Sequence, residues 1–508
     1  MQNLLQKHNC ALSTAVLSVL GLVGKIASVL FKIVLIVLIG TVGIGYYQLT
    51  FPLFVFLFSI SSVGVSTTIT MYIAERGWNV SKSNGSLNFA KKMTLLISII
   101  VSIMLIFFAP KIAKMQGNEE VETIYFSIAF AVVSVSILTL YRAILRGNKL
   151  IKEYAISDII EQISKLSLCI IFASLFMKIS VLLSVVGVFV GITLSSLISL
   201  VYIMIVLKNY NSLTNNELLS TEMFDRPVFL KNALIAGLSS VLIPFIQFLE
   251  SVIVIGLLCE KGVSSIEATS LFGLSRGNVS ALLNLPNTII LAIEFLLLPD
   301  ILSLKSKIEI SKKSQNIISI ALCLGLFVAL IFYFFGNEIL GFVYGKSLVG
   351  EDKLIADKLL KIGAISVVFL SIGQVETVVL QGVKKLHLPI VSLGVSSIVK
   401  LIFELVFIKD LGIYAVEISN VLFYVTLCFI NTVFLIKNKI YFGTPKNILY
   451  ILLVLLFVES IKIAYGILTN MFGFVVSMLL AVILTGMICG IILFVAIKLK
   501  QKKNKLII

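Results

Sequence analysis

Residues 21–40 read GLVGKIASVLFKIVLIVLIG, an apolar run interrupted by two charges, Lys25 and Lys32. About 20 such residues in a helix match the thickness of a bilayer core. An ammonium there costs about 3 kcal/mol even on the lenient insertion scale, so two in one span demand a reason. They stand seven residues apart, about two turns and about 10 Å along an ideal helix, on one face. Ser18, Gly21 and Ser28 share that face. A long stem can carry one ammonium to the interface. Sliding the span to free one lysine, however, pushes the other towards the midplane. The stripe therefore reads as facing a protein interior.

The whole chain fits that reading. Its 508 residues are 59% hydrophobic and 13% charged, with a mean hydropathy of +1.11. Soluble chains carry about 25% charge, so this is a polytopic, all-α membrane protein. The apolar runs have helical length and lack the alternation of outer-membrane strands. The first has no small-residue cleavage pattern and reads as a true span. Six cysteines are scattered singly and read as small apolar fillers.

Fourteen spans are expected, at 12–39, 46–74, 93–113, 123–145, 155–176, 183–207, 232–258, 268–298, 314–336, 359–382, 388–408, 413–436, 448–469 and 472–497. With the N-terminus inside, the inner segments hold 25 Lys and Arg residues and the outer ones nine. That bias predicts a cell membrane protein with cytoplasmic N- and C-termini. It also accounts for the net charge of +16 without nucleic acid as a partner.

The longest polar connection, 208–231, divides the chain. It predicts a six-helix bundle over 1–207, a cytoplasmic linker, a second bundle over 232–436, and an extra helix pair with a basic tail over 437–508. Residues 141–172 align with 376–407 at a fixed offset of 235, with eight of 32 positions identical. Gly147 with Gly382, Lys149 with Lys384, and Lys165 with Lys400 carry most of the weight. The copies predict parallel repeats, an arrangement suited to rocking one bundle against the other.

Further charges lie inside expected spans. Arg276, Ser280, Asn287 and Glu294 fall within about 40° at 100° per residue, a polar track about 27 Å long that Pro286 breaks. Ser240, Pro244, Gln247 and Glu250 form a comparable stripe one span earlier. Glu250 or Glu294 reads either as a proton or Na⁺ site or as the counter-charge of Lys25. Glu161 with Lys165, and Lys400 with Glu404, stand at i,i+4 and are expected to neutralise each other as buried pairs. Arg142, Arg146 and Lys149 form a basic cluster at a cytoplasmic helix end, where positive-inside topology would place them. The longest outer loop is expected near 337–358, with Glu351, Asp352 and Asp357 solvated.

Three segments carry a family resemblance: IGTVGIGYYQLTFPLFVFLFSISSVGVSTTITMYIAE (39–75), YRAILRGNKLIKEYAISDIIEQISK (141–165) and LQGVKKLHLPIVSLGVSSIVKL (380–401). With the six-six-two layout, the chain resembles the stage V sporulation protein B and polysaccharide-export branch of a flippase superfamily. That superfamily also holds lipid II flippases and multidrug exporters. The resemblance implies two repeats around a central cavity and roles in substrate handling for Arg276 and Glu294. It also implies alternating-access movement of a polyprenyl-diphosphate-linked oligosaccharide or peptidoglycan precursor from inner to outer leaflet. Relatives commonly carry arginine at positions 25 and 32. Lysine keeps the charge but gives up bidentate phosphate geometry.

Basic groups inside a bilayer suit an anionic headgroup that must cross it. The expected partners are a lipid-linked anionic glycan, the bilayer and glycan-assembly enzymes. No cofactor is expected beyond H⁺ or Na⁺ as coupling ion. Two alternatives are a cation-coupled multidrug exporter and a membrane enzyme of polysaccharide assembly. The exporter would want a carboxylate in the first span, which has none. The enzyme would need an acid/base or metal constellation. Only two histidines are present, His8 and His387, and no P-loop, so the chain reads as a non-enzyme without a metal site.

Overall fold

A computed structural model describes residues 31–77, 85–213, 224–287, 306–385, 387–440 and 446–469. It adds short pieces at 290, 297, 301, 304, 473–474, 476–478 and 480–481. The first helical run, α1 (Phe31–Arg76), has 46 residues. Unbroken, it would measure about 69 Å, more than twice the apolar thickness of a bilayer. Gly40 resolves the excess with a φ of +68°, a left-handed conformation that glycine alone enters cheaply. The run is two helices end to end, parting where the spans 12–39 and 46–74 are expected to part.

There follow α2 (Ser86–Met115), α3 (Glu122–Gly147), α4 (Ile151–Met177), α5 (Val181–Leu213) and α6 (Arg226–Glu260). Next, α7 (Ser265–Gly273) passes into a π-helical turn, Leu274–Val279, and an α-turn, α8 (Ser280–Leu283). The chain continues with α9 (Lys307–Tyr344), α10 (Gly350–Gly382), α11 (His387–Leu411), α12 (Tyr414–Lys437) and α13 (Lys446–Leu468). Ten runs among the described residues are long and apolar enough to cross a membrane. The expected final span, 472–497, lies almost wholly outside the described residues.

Two expectations are corrected. The segment 337–358 is largely helical: α9 continues to Tyr344 and α10 begins at Gly350. Glu351 and Asp352 stand in the first turn of α10, where carboxylates complement the helix dipole. Asp357 pairs with Lys361 at 2.7 Å, one turn on. The eighth span is not one continuous α-helix either. Its π-turn closes i→i+5 rings, α8 stops at Leu283, and after a turn at Asn284 helix resumes over 285–287 with Pro286 in the new first turn, where its missing N–H costs nothing.

Two compact units are present, residues 1–288 with 397–419, and residues 289–396 with 420–508. The first packs Ile69 and Ile73 of α1 with Ile144 and Leu145 of α3, Ile203 of α5 and Phe229 of α6. The second packs Ile318 and Ala321 of α9 with Val375 and Val379 of α10 and Leu435 of α12. Outer faces are apolar instead of charged. On α2, Ile99, Ile103 and Phe107 are exposed, and on α11 so are Ile398, Ile402 and Leu405. Water would penalise such continuous apolar faces; lipid suits them.

Residues matched at the 235-residue offset end their helices in the same way, with a cap that also follows α12 at Lys439. After α3, Leu150 N–H donates to Leu145 O at 2.9 Å and Lys149 N–H to Arg146 O at 3.0 Å. After α10, Lys385 N–H donates to Leu380 O at 3.0 Å and Lys384 N–H to Gln381 O at 2.9 Å. Both are Schellman caps. Lys149 and Lys384 have φ of +58° and +61°, where glycine is usual. Gly147 and Gly382 are alike too: a Cβ on them would lie 2.8 Å from Ile73 and 2.6 Å from Ile301.

Candidate functional site

Lys32 lies half-buried on α1, within electrostatic reach of Lys165 on α4. The Lys165 ammonium stands 5.9 Å from the centre of the Phe31 ring. Like charges come together here because Lys165 does not pair with Glu161 as expected. Glu161 takes the Arg142 guanidinium at 2.6 Å. That guanidinium also donates to the Ser157 carbonyl at 2.8 Å and lies 3.4 Å from Asp158. A planar fork serves several acceptors at once, and an ammonium serves them less well. Among the described residues, neither Lys32 nor Lys165 makes an ion pair within 4 Å. Lys25 lies outside the described residues.

The expected basic cluster at the end of α3 is therefore divided. Arg142 is held by carboxylates. Arg146 is exposed, its guanidinium 5.5 Å from the centre of the Tyr154 ring. Lys149 is exposed at the corner.

A second charged group gathers within the same unit around Glu250, buried on α6. One carboxylate oxygen accepts from Arg276 in the π-turn, the other from Lys400 of α11 at 2.7 Å. Glu404 accepts from Ser419 at 2.6 Å and lies 3.9 Å from Arg276. Glu417, at the start of α12, accepts from Ser275 at 2.7 Å. Three carboxylates thus surround two cations. Glu404 Oε2 and Arg276 Nε are buried without a hydrogen-bond partner. The expected i,i+4 pair of Lys400 with Glu404 gives way to a bond between helices, Lys400 with Glu250.

The expected polar track of the eighth span assumed 100° per residue throughout. The π-turn carrying Arg276 and the end of α8 break that phase, so one face does not run from Arg276 onward. Asn287 is half-buried with its Oδ1 unbonded, and Glu294 lies outside the described residues. On α6 the expected stripe is also divided: Gln247 is exposed while Glu250 is buried. Sequence reasoning missed Glu417 and Ser275, and it gave Lys165 to the wrong partner. Glu417 stands at the end of an apolar run, where a carboxylate usually means an interface. Its distant hydroxyl partner leaves no local pattern.

Membrane-length helices carrying one buried and one half-buried charge group define a multi-pass membrane protein. The chain is similar to the solved structure of lipid II flippase MurJ in an inward closed conformation, with a TM-score of 0.71 and 14% identity over 96% of this chain and 99% of that one. It is similar to an inward-facing multidrug resistance MATE family transporter of the MOP superfamily, with a TM-score of 0.62 and 15% identity over 82% and 94%. Stage V sporulation protein B of Bacillus subtilis (strain 168) is 23% identical over 352 residues, 66% of each chain, just under two thirds of the relative's length. The polysaccharide biosynthesis protein family matches residues 11–304, more than half of the chain. The protein belongs to that family.

Proposed function

We propose that the protein flips a polyprenyl-diphosphate-linked oligosaccharide or peptidoglycan precursor from the inner to the outer leaflet of the cell membrane. In this reading the two six-helix bundles, 1–207 and 232–436, alternate access to a shared cavity, and both termini are cytoplasmic. The observation that carries the proposal is the meeting of Lys32 and Lys165, two half-buried cations without an ion pair among the described residues. Such a pair is costly unless an anion visits it. A diphosphate supplies that anion while its lipid tail stays in the membrane. Lys25, seven residues before Lys32 on the expected stripe, extends the same lining. Arg276 is already engaged by Glu250, and it joins the substrate only in a state where that bond opens. Glycan-assembly enzymes on the inner face would supply the substrate.

The test is a strain that depends on the chain. Lys32→Gln should accumulate lipid-linked glycan on the inner leaflet at near-normal protein levels, and Lys32→Arg should flip. Normal flipping by the Lys25→Gln, Lys32→Gln double variant would refute the reading.

The carboxylate excess around Glu250 favours a second reading, a cation-coupled exporter of cationic compounds, in keeping with the MATE-like fold. Efflux of cationic dyes from a sensitive host would select it; the flippase reading expects none.

A further inference from the structure

Glu376, on α10 in the second unit, plays no part in the groups above. It is 2% exposed. Thr432 of α12 donates its hydroxyl to one carboxyl oxygen at 2.5 Å, while the other, Oε2, is buried with no hydrogen-bond partner. The Cys428 thiol, one turn earlier on α12, lies beside it. Thr432 and Cys428 are neutral, and Cys428 is the only other titratable group against it among the described residues. On α9, Ile318 and Ala321 belong to the same apolar core as Val375 and Val379, the neighbours of Glu376 along α10.

This differs from Glu250, which lies between an arginine and a lysine. Both of its carboxylate oxygens are occupied by those cations. A carboxylate in an apolar interior, with a hydroxyl and a thiol beside it and no cation, recovers only part of its lost hydration, and taking up a proton removes that cost. The bare Oε2 is the open acceptor on that carboxyl.

We propose that Glu376 is a proton-binding site and that H⁺ is the ion this protein couples to movement. On uptake, a proton from water forms an O–H bond at Oε2 and the group becomes neutral. On release the same bond breaks, the electron pair stays on the carboxyl oxygen, and the proton returns to water. Na⁺ fits the surroundings less well, since it needs several hard oxygens. Cys428 offers sulfur. The nearby Asn431 has its Oδ1 occupied by the Ser392 hydroxyl at 2.6 Å. Its amide is spent on the Gly373 carbonyl and Thr377 at 3.3 and 3.1 Å. The charged form of Glu376 is unstable in the arrangement described here, so release of the proton favours a second arrangement that admits water. That is the differential affinity a coupled change of state requires.

The coupling half of the proposal rests on the transport reading; the proton site does not. Infrared difference spectra of the full chain in phosphatidylethanolamine–phosphatidylglycerol vesicles, recorded across a step from acidic to alkaline buffer without substrate, read the site directly. A protonated-carboxyl band should be lost on the step, be absent in Glu376→Gln and reappear shifted in Glu376→Asp, and Na⁺ at constant pH should leave it unchanged. A band that survives in Glu376→Gln, that is removed by Glu404→Gln instead, or that does not titrate would overturn the site. In the dependent strain, an electroneutral K⁺/H⁺ exchanger that collapses the pH gradient should stop flipping. Undiminished flipping, with the band behaving as expected, would overturn the coupling and leave the site standing.

Discussion

At the scale of single residues, position in a network decides what a buried charge can do. Glu250 is bound by both Arg276 and Lys400, and Glu404 and Glu417 stand close by. Removing Lys400 would leave three carboxylates facing one cation; removing Glu250 leaves two facing two. Breaking a buried pair costs about 3–5 kcal/mol when the survivor is left uncompensated. Lys400→Met should therefore lower thermal stability by an amount in that range, and Glu250→Gln by less. The double variant should recover part of the loss, a coupling that a double-mutant cycle on detergent-solubilised protein would measure. Lys165 offers the opposite case. With no ion pair within 4 Å among the described residues and only the longer-range attraction of Asp158 to lose, Lys165→Gln should change the melting temperature little, while reducing flipping as Lys32→Gln does.

At the scale of elements, the corners after α3 and α10 place lysine where backbone geometry favours glycine. A left-handed residue with a side chain costs about 1–2 kcal/mol. Glycine would remove that cost but adds back about 0.5–1 kcal/mol of chain entropy. Lys149→Gly and Lys384→Gly should thus be neutral to slightly stabilising. Lys149→Val, with a branched Cβ forced to the same φ, should destabilise by more than 1 kcal/mol. Thermal unfolding of the three variants checks both signs. If selection kept lysine against this small gradient, the reason is its charge, which lies near the negative C-terminal ends of the helices.

At the scale of the whole molecule, the expected inward bias of basic residues makes a topological statement. Cysteine labelling placed after residue 497 should react only from the cytoplasmic side, and labelling from outside would reverse the assignment. Much of the architecture was legible beforehand because bilayer thickness converts apolar length directly into helix number, as the runs α2 to α6 illustrate. The break at Gly40 fell between two expected spans for the same reason. The close approach at Gly147 was marked in the sequence by the glycine alone, since packing against Ile73 leaves no room for a Cβ. The charge network was not. Arg142 with Glu161 and Lys400 with Glu250 are 19 and 150 residues apart, and no helical periodicity connects them. The i,i+4 rule offered nearer partners that three-dimensional packing overruled. The eighth span misled differently, because phase counted at 100° per residue fails once a turn is wound with a different period.

That π-turn, Leu274–Val279, can also be described as a surplus in the text of the gene. A ring closed by i→i+5 bonds holds one residue more than its α counterpart. Relatives that keep an unbroken helix here should align with a one-residue gap inside this stretch, and a Gly277 deletion would imitate them. Because the wider turn absorbs the extra residue, the excision would leave the side chains beyond it facing as they do now and tighten only the turn that carries Arg276, changing the company that arginine keeps. Small insertions and deletions at this point are therefore a route by which the family can retune one arginine without replacing it.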